Sequence, residues 1–211
     1  MQSKKIVLLN RPVGALKETD MGVFDETLSP LEPGEVLLQV EHLSVDAFIR
    51  TTFDEGAFHG TAGLGQAVMA LGTARVVDSR FDGLNQGDAV FGPVGAQTHA
   101  KLPGAMLQKL DESELPARCS LGVLGLATGM TAYAGMAKVA QIKEGDTVVV
   151  SAAAGAVGSC ACQVAKNLGA RVIGIAGGSA KADYLLNEIG CDAAVDYKAD
   201  DLAGQLSAAA P

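Results

Sequence analysis

The residues with the clearest chemical potential form a glycine-rich turn after an apolar run of three valines. The turn reads Ala153-x-Gly155-x-x-Gly158, a G-x-G-x-x-G pattern with alanine in place of the first glycine. In such a pattern, Gly155 lets the backbone approach a pyrophosphate, and Gly158 lets the following helix lie close to the strand. The free N–H groups at the start of that helix would then meet the anion. The pattern predicts a dinucleotide site, although an ordinary tight turn in an α/β sheet has the same residues.

The residues after the next predicted strand bear on the choice between NAD and NADP. NAD sites tend to place an acid there for the ribose hydroxyls, whereas NADP sites place a cation. The segment from Gly174 to Lys181 contains no acid, and Lys181 lies one turn into the next helix. Lys181 and Ser179, as the predicted helix cap, could bind a 2′-phosphate that an acid would repel. A lysine on a helix is also commonly a solvated surface residue.

Cysteine and histidine spacing argues against a metal centre. His42, His59 and His99 lie far from any cysteine in sequence, and no C-x-x-C pair or four-cysteine cluster occurs. Tetrahedral zinc sites need converging thiolate and imidazole ligands, so we predict no metal site. Cys160 and Cys162 are interpreted as packing residues of one helix, and His59 as a loop residue that could border a cleft. The sequence contains no G-x-S-x-G nucleophile elbow, which disfavours a hydrolase.

Composition excludes several classes of protein. The chain has 211 residues, 48% of them hydrophobic and 19% charged, with a formal net charge of −8. Such a chain collapses rather than remaining disordered, and its acidity disfavours nucleic acid and anionic membrane surfaces as partners. The most apolar stretch, Val148 to Ala165, is too broken and too rich in alanine to span a bilayer. With no signal peptide and no disulfide-dense spacing, we predict a cytoplasmic protein.

The pattern of the predicted helices and strands that position these residues changes along the chain. The first hundred residues contain short apolar runs at 36–40, 74–77 and 89–91, separated by Gly and Pro turns. This pattern is typical of a β-barrel or sandwich. From Leu121 onward, predicted helices and strands alternate, which indicates βαβ crossovers and a parallel sheet. The predicted helices are 121–139, 155–168, 179–189 and 200–209; the predicted strands are 147–151, 171–175 and 193–196.

These residues resemble the medium-chain dehydrogenase/reductase superfamily, in its zinc-free, NADP-dependent branch of alkenal, enone and prostaglandin reductases. The resemblance implies a GroES-like β-barrel domain at 1–120 that holds substrate. It further implies an incomplete Rossmann domain at 121–211 that holds NADP. The segments that carry the resemblance are Val148 to Ser159, Gly174 to Lys181, Asp196 to Lys198 and Leu124 to Tyr133.

The resemblance also assigns site residues. Lys181 and Tyr197 would bind the adenosine 2′-phosphate, although a tyrosine there is more often an edge-strand residue. The pyrophosphate would be held by the four residues of the turn, Gly155, Ala156, Val157 and Gly158.

The substrate side departs from the family pattern. A Tyr-Met-Arg triplet commonly lies beside the nicotinamide, and this chain has Phe48-Ile49-Arg50 instead. The missing hydroxyl puts a proton-donor role at Phe48 in doubt and leaves it as a cleft-lining residue. Arg50 is the remaining catalytic candidate, and a structural ion pair is an equal alternative for it.

The activity implied by the resemblance is NADPH-dependent reduction of the C=C bond of α,β-unsaturated aldehydes or ketones, in a protein whose full-length parent is a homodimer. A zinc-free quinone reductase is the nearest alternative. The chain stops after three strands of the Rossmann sheet, so a truncated, non-catalytic product is a further alternative. We expect such a fragment to aggregate, because it would leave its third strand as an exposed edge.

Overall fold

In the computed structural model, which describes residues 1–210, the chain divides into two compact units that meet in sequence at Leu121 and Gly122. Each unit has a hydrophobic core of its own. The assignment of substrate to the first unit and NADP to the second stays a prediction.

The first unit consists mainly of antiparallel strands. Its elements are β1 (Gln2–Leu8), β2 (Met21–Thr27), β3 (Glu35–Leu43), α1 (Ala47–Thr51), β4 (Gly72–Ser79), β5 (Ala89–Gly92), β6 (His99–Pro103) and β7 (Gln108–Lys109). Short 3-10 turns lie at Glu18–Asp20, Gly104–Met106 and Ala117–Ser120. The larger sheet has the order β6-β3-β4-β5-β7, and β1 and β2 form a separate hairpin.

The predicted strands of this unit all fall within β3, β4 and β5, but the described strands do not close into a barrel. One edge of β1 pairs with β2 along its whole length. Its other edge meets the rest of the unit through single bridges, from Lys5 to Gln97 and from Val7 to Ala67. The barrel that we expected is therefore open here, since isolated bridges replace a continuous ladder.

Two apolar clusters fill the first unit. Val36 and Leu38 alternate inward along β3 and are completely buried, as period-2 patterning requires. A second cluster joins Leu8, Ile49 and Phe53, and it anchors α1 against β1. This anchoring matters for function because α1 carries both Phe48 and Arg50.

The second unit is a three-stranded parallel sheet with helices between its strands. The elements of this unit are α2 (Leu126–Met130, Thr131–Tyr133 and Ala134–Val139), β8 (Thr147–Val150), α3 (Ala156–Asn167), β9 (Arg171–Ala176), α4 (Ser179–Tyr184, continued by Leu185–Ile189), β10 (Ala193–Asp196) and α5 (Leu202–Ala209). The strand order is β10-β9-β8. The first and last of the three segments of α2 have wider turns than an α-helix.

Three helices of the second unit begin later than predicted, namely α2, α3 (at Ala156 rather than at 155) and α5 (at Leu202 rather than at 200). The first helix begins at Leu126 rather than at 121, because Gly125 still has extended backbone, with φ −70° and ψ 137°. Ser179 is the first residue of α4 rather than its cap. Gly178 takes the cap position with a φ of 94°, a left-handed conformation that glycine adopts without steric cost.

Small residues let α3 pack closely on the sheet. Val148 and Val150 point into the core, and the alanines and cysteine of α3 cover them. Cys162 is completely buried, and burial raises the pKa of its thiol to about 12, which agrees with a packing role. The other face of β8 is open, since Val149 is 44% exposed. None of the described helices is both long and apolar enough to cross a bilayer.

Candidate functional site

The glycine turn lies where the strands of the second unit end. β8, β9 and β10 end at Val150, Ala176 and Asp196, and because the strands are parallel, these ends form one edge of the sheet, here called the carboxyl edge. The Ala153 N–H donates a 3.0 Å hydrogen bond to the Ile175 carbonyl, which ties the turn to the end of β9. Open α/β sheets bind ligands at this edge.

Gly158 has no room for a side chain. A Cβ at this position would lie 2.3 Å from the Ala152 carbonyl oxygen and 2.8 Å from the Ala153 Cα. Both are backbone atoms, so neither can rotate away. The absence of a side chain at Gly158 therefore lets α3 begin close to the backbone of the turn, and the predicted role of Gly158 toward a cofactor stays a prediction.

Gly155 is glycine for a different reason. Its added Cβ would meet only the Ala152 carbonyl oxygen, at 3.1 Å, so packing alone does not require glycine here. It occupies the N-cap position of α3 with an extended backbone. The N–H groups of Ala156, Val157 and Gly158 follow in the first turn, where a helix offers them no acceptor. They are available to donate hydrogen bonds to an anion.

The end of β10 reaches back to the β9–α4 turn through one carboxylate. Asp196 Oδ1 accepts hydrogen bonds from the Gly178 N–H at 2.7 Å and from the Lys198 N–H at 2.9 Å. The same two N–H groups, with the Lys198 charge, hold the pKa of the Asp196 carboxyl below its ordinary value, so it is ionised at neutral pH. In the sequence, Asp196 stood out only as part of the family-like segment Asp196 to Lys198, with no role of its own.

The side chains that follow Asp196 lie across this turn. A Cβ on Gly177 would lie 2.7 Å from both the Tyr197 hydroxyl oxygen and its Cζ, and 3.0 Å from the Lys198 Cε. Glycine at 177 therefore makes space for two side chains from the end of β10. This contact places Tyr197, a predicted 2′-phosphate ligand, against the turn that precedes α4.

Lys181 lies in the first turn of α4, where its N–H donates to the Gly178 carbonyl at 3.1 Å. Its side chain is exposed, and within residues 1–210 its ammonium has no hydrogen-bonding or ion-pair partner. The structure thus brings the glycine turn, Lys181 and Tyr197 to the same edge of one sheet. Their roles toward a nucleotide stay predictions.

The candidates of the first unit are held differently. The Arg50 guanidinium donates to the Asp54 carboxylate at 3.1 Å and to the Gly14 carbonyl oxygen at 2.9 Å. It therefore ties α1 to the loop that contains Gly14, which is the structural alternative considered for this residue.

Half-buried Phe48 belongs to an aromatic cluster with the exposed rings of Phe58 and His59, which the sequence pattern did not predict. Its ring centroid lies 5.3 Å from that of His59, and the Phe58 ring meets His59 edge-on at 5.1 Å. The His59 Nδ1 lies 3.4 Å from the Thr51 hydroxyl oxygen. The only sequence signal for this cluster was the Phe58-His59-Gly60 string, which has no periodicity that would place it beside α1.

Two known protein families match parts of this chain. Residues 4–110, half of the chain, match the family described as the N-terminal domain of oxidoreductase, and residues 156–211 match the one described as zinc-binding dehydrogenase. The chain belongs to the medium-chain dehydrogenase/reductase family.

Several members of this family are similar over nearly the whole chain. It is 42% identical over 212 residues to the oxidoreductase YfmJ of Bacillus subtilis, covering 99% of this chain and 61% of that protein. It is 36% identical over 211 residues to the NADPH-dependent curcumin reductase of Escherichia coli, covering all of this chain and 61% of that one. The structure of CurA from Vibrio vulnificus in complex with NADPH superposes with a TM-score of 0.90 at 34% identity, covering 97% and 61% of the two chains. The chain thus spans about three fifths of the length of these relatives.

The zinc in the second family description finds no matching ligand set here. Within residues 1–210, no three His, Cys, Asp or Glu side chains lie together as metal ligands. Catalytic zinc in proteins requires three such ligands and an open position, so these residues do not fit a zinc ion. The carboxyl edge, by contrast, has the N–H donors and cations that a dinucleotide phosphate needs.

Proposed function

We propose that this chain contributes the NADPH site and the first domain of a reductase that acts on the C=C bond of α,β-unsaturated aldehydes or ketones. The observation that carries the proposal is the carboxyl edge, where the strand ends of a parallel sheet bring together a glycine turn and a lysine that is unpaired within residues 1–210. No acid follows β9 in the sequence, where the chain continues as Gly177-Gly178-Ser179. The Asp196 carboxylate near this turn comes from β10, and its Oδ1 already accepts from two backbone N–H groups.

The pyrophosphate is assigned to the start of α3. Gly155 leaves the approach open, and the N–H groups of Ala156, Val157 and Gly158 donate to the phosphate oxygens. The fit of α3 against the turn at Gly158 keeps these donors fixed before the ligand arrives. A fixed donor set saves the conformational entropy that a flexible loop would lose on binding.

The 2′-phosphate is assigned to Lys181 and Tyr197. Tyr197 is 54% exposed and lies across Gly177. Among residues 1–210, no carboxylate pairs with the Lys181 ammonium, so both side chains are available to bind an anion. A charge-assisted hydrogen bond from the lysine favours NADPH over NADH, which has only a hydroxyl at this position.

The reaction type is supported by relatives. Besides the curcumin reductase, the 2-alkenal reductase (NADP(+)-dependent) of Nicotiana tabacum is 35% identical over 213 residues. NADPH, when bound, supplies the hydride. On the substrate side, Phe48 contributes an apolar surface without a proton to give, and Arg50 fixes the loop at Gly14 beside α1. A homodimer and a cytoplasmic location remain predictions that accompany this proposal.

The test is a fluorescence titration of the 211-residue chain with NADPH and, separately, with NADH. We expect saturable NADPH binding at least tenfold tighter than NADH, a difference of about 1.4 kcal/mol. Equal affinities would remove the 2′-phosphate assignment, and no binding of either nucleotide would favour a non-catalytic chain. A series of alkenals, enones and quinones with NADPH then separates an enone reductase from a quinone reductase.

A further inference from the structure

The β9–α4 turn has more than one cation near it. The Lys198 side chain runs back over Gly177, where its Cε lies within 3.0 Å of the point that a Cβ would occupy. The Tyr197 hydroxyl oxygen lies 2.7 Å from the same point. A phenol and a lysine stem therefore converge on the turn that precedes Lys181.

The Lys198 ammonium is available to a ligand. Within residues 1–210 it forms no ion pair or hydrogen bond. Lys166 in the same unit is the opposite case, because its ammonium lies 2.9 Å from the Asp192 carboxylate and is neutralised there. Lys198 keeps its charge unpaired over a turn where Lys181 is also unpaired.

Asp196 fixes the position of the Lys198 backbone. Its Oδ1 holds the Lys198 N–H and the Gly178 N–H at once, so it joins the end of β10 to the turn before α4. The Asp196 backbone is itself fixed by Gln205 of α5, whose side chain accepts from its N–H at 3.2 Å and donates to its carbonyl at 3.3 Å. The carboxylate is thus anchored on both sides.

We propose that Lys198 is a second cation for the nucleotide 2′-phosphate, beside Lys181, and that Asp196 is the positioning residue that holds Lys198 over Gly177. A phosphate monoester carries about two negative charges at neutral pH, which one lysine does not neutralise. A carboxylate near a phosphate is unfavourable by charge alone. Asp196 offsets this by using Oδ1 on two backbone N–H groups, which holds the backbone of Lys198 beside the turn that precedes α4.

This inference rests on the proposed function. It is tested by calorimetric titration of the full chain with adenosine 2′,5′-bisphosphate and, separately, with 5′-AMP, which lacks the 2′-phosphate. Lys198→Met keeps the stem over Gly177 and removes the charge. We expect it to weaken the bisphosphate about tenfold and to leave 5′-AMP unchanged. The matched control is Lys143→Met, which makes the same change of net charge in the turn before β8. It should leave both ligands unchanged.

The positioning role of Asp196 has its own readout. Asp196→Asn keeps an oxygen acceptor at Oδ1, so the bisphosphate should bind at least as tightly as to the wild type. Asp196→Ala loses the acceptor and should weaken the bisphosphate severalfold. If the residue acts through Lys198, Asp196→Ala should have no further effect in a Lys198→Met background. A purely structural role would weaken 5′-AMP equally and would add to the Lys198→Met loss.

Failure of this inference and failure of the proposed function give different results. If the wild type prefers the bisphosphate but Lys198→Met keeps that preference, Lys198 is not in the site and the proposed function stands. If the wild type does not distinguish the two ligands, both are overturned.

Discussion

The two candidate regions of this protein are made from different parts of the chain. At the carboxyl edge of the second unit, the candidate groups are mostly backbone N–H groups at the start of α3, where a Cβ on Gly158 would lie 2.3 Å from a backbone oxygen. Around α1 of the first unit, the candidate groups are the half-buried side chains of Phe48 and Arg50. The N–H groups are consecutive in sequence, whereas Arg50 is held by the distant Gly14.

This difference has a physical consequence. A side chain at Gly158 would change the fold and the N–H donors together, because these donors are also part of the helix start. Side chains on a short helix can be exchanged while the underlying cluster of Leu8, Ile49 and Phe53 stays in place. Substitutions that disturb the packing at Gly158 should therefore lower stability and binding together, whereas side-chain substitutions around α1 should not.

Gly158→Ala should give the largest effect, because its Cβ has no space between backbone atoms of the turn. We expect the second unit to lose about 3 kcal/mol and to lose NADPH binding with it. Hydrogen exchange followed by mass spectrometry would show faster exchange in peptides of 147–176.

Gly155→Ala is the matched control for that change, since its Cβ meets a single carbonyl oxygen at 3.1 Å. It should cost less than about 1 kcal/mol of stability and still abolish NADPH binding, because the methyl group blocks the approach to the pyrophosphate. Equal destabilisation by the two variants would contradict the distinction between packing and approach.

Lys181→Ala should have the next largest effect on nucleotide binding. We expect NADPH to bind at least tenfold more weakly, about 1.4 kcal/mol, with NADH unchanged, because only NADPH has the 2′-phosphate. Fluorescence titration measures both, with Lys143→Ala as a control elsewhere in the unit. Parallel losses for both nucleotides would mean that Lys181 supports the fold rather than selects the ligand.

Acid should weaken the second unit through Asp192. Its carboxylate accepts from Lys166 and from the Val172 N–H, at 2.9 and 2.6 Å, and these bonds lower its pKa. A lowered folded-state pKa gives stability that is present above the unfolded value, near 3.8, and lost as pH falls through the folded value. Asp192→Asn should therefore cost about 1 kcal/mol at pH 7 and reduce the stability loss below pH 4.

Thermal melts at pH 7 and at pH 3 would check this expectation. Asp183→Asn, on the exposed face of α4, removes the same charge without touching a strand. An unchanged pH profile in Asp192→Asn would show that other carboxylates dominate acid unfolding.

Arg50→Met should have the smallest effect. It removes a partly exposed ion pair to Asp54 and the bond to Gly14, so we expect about 0.5–1 kcal/mol in the first unit. Peptides around residue 14 should exchange faster, and nucleotide affinity should not change. A loss of NADPH binding would contradict the separation of the two regions.

Sequence reasoning succeeded where the determinants are local. The strands that flank the glycine turn, and the close approach at Gly158, follow from periodicity and spacing alone. It failed where tertiary contacts decide. Asp196 belongs to a segment that resembles the family, but the sequence gives no sign that its carboxylate accepts a hydrogen bond from Gly178, eighteen residues earlier. Ser179 looked like a helix cap, but the left-handed backbone of Gly178 takes that position.

The order β10-β9-β8 implies that local unfolding differs between the strands of the second unit. β9 has hydrogen-bonded neighbours on both sides, whereas β8 has one among the described residues and exposes Val149 on its outer face. Fluctuations that release β8 therefore need less free energy than those that release β9. The glycine turn leaves from β8, so the candidate phosphate site is attached to an edge strand, and a bound dinucleotide would slow the opening of that strand.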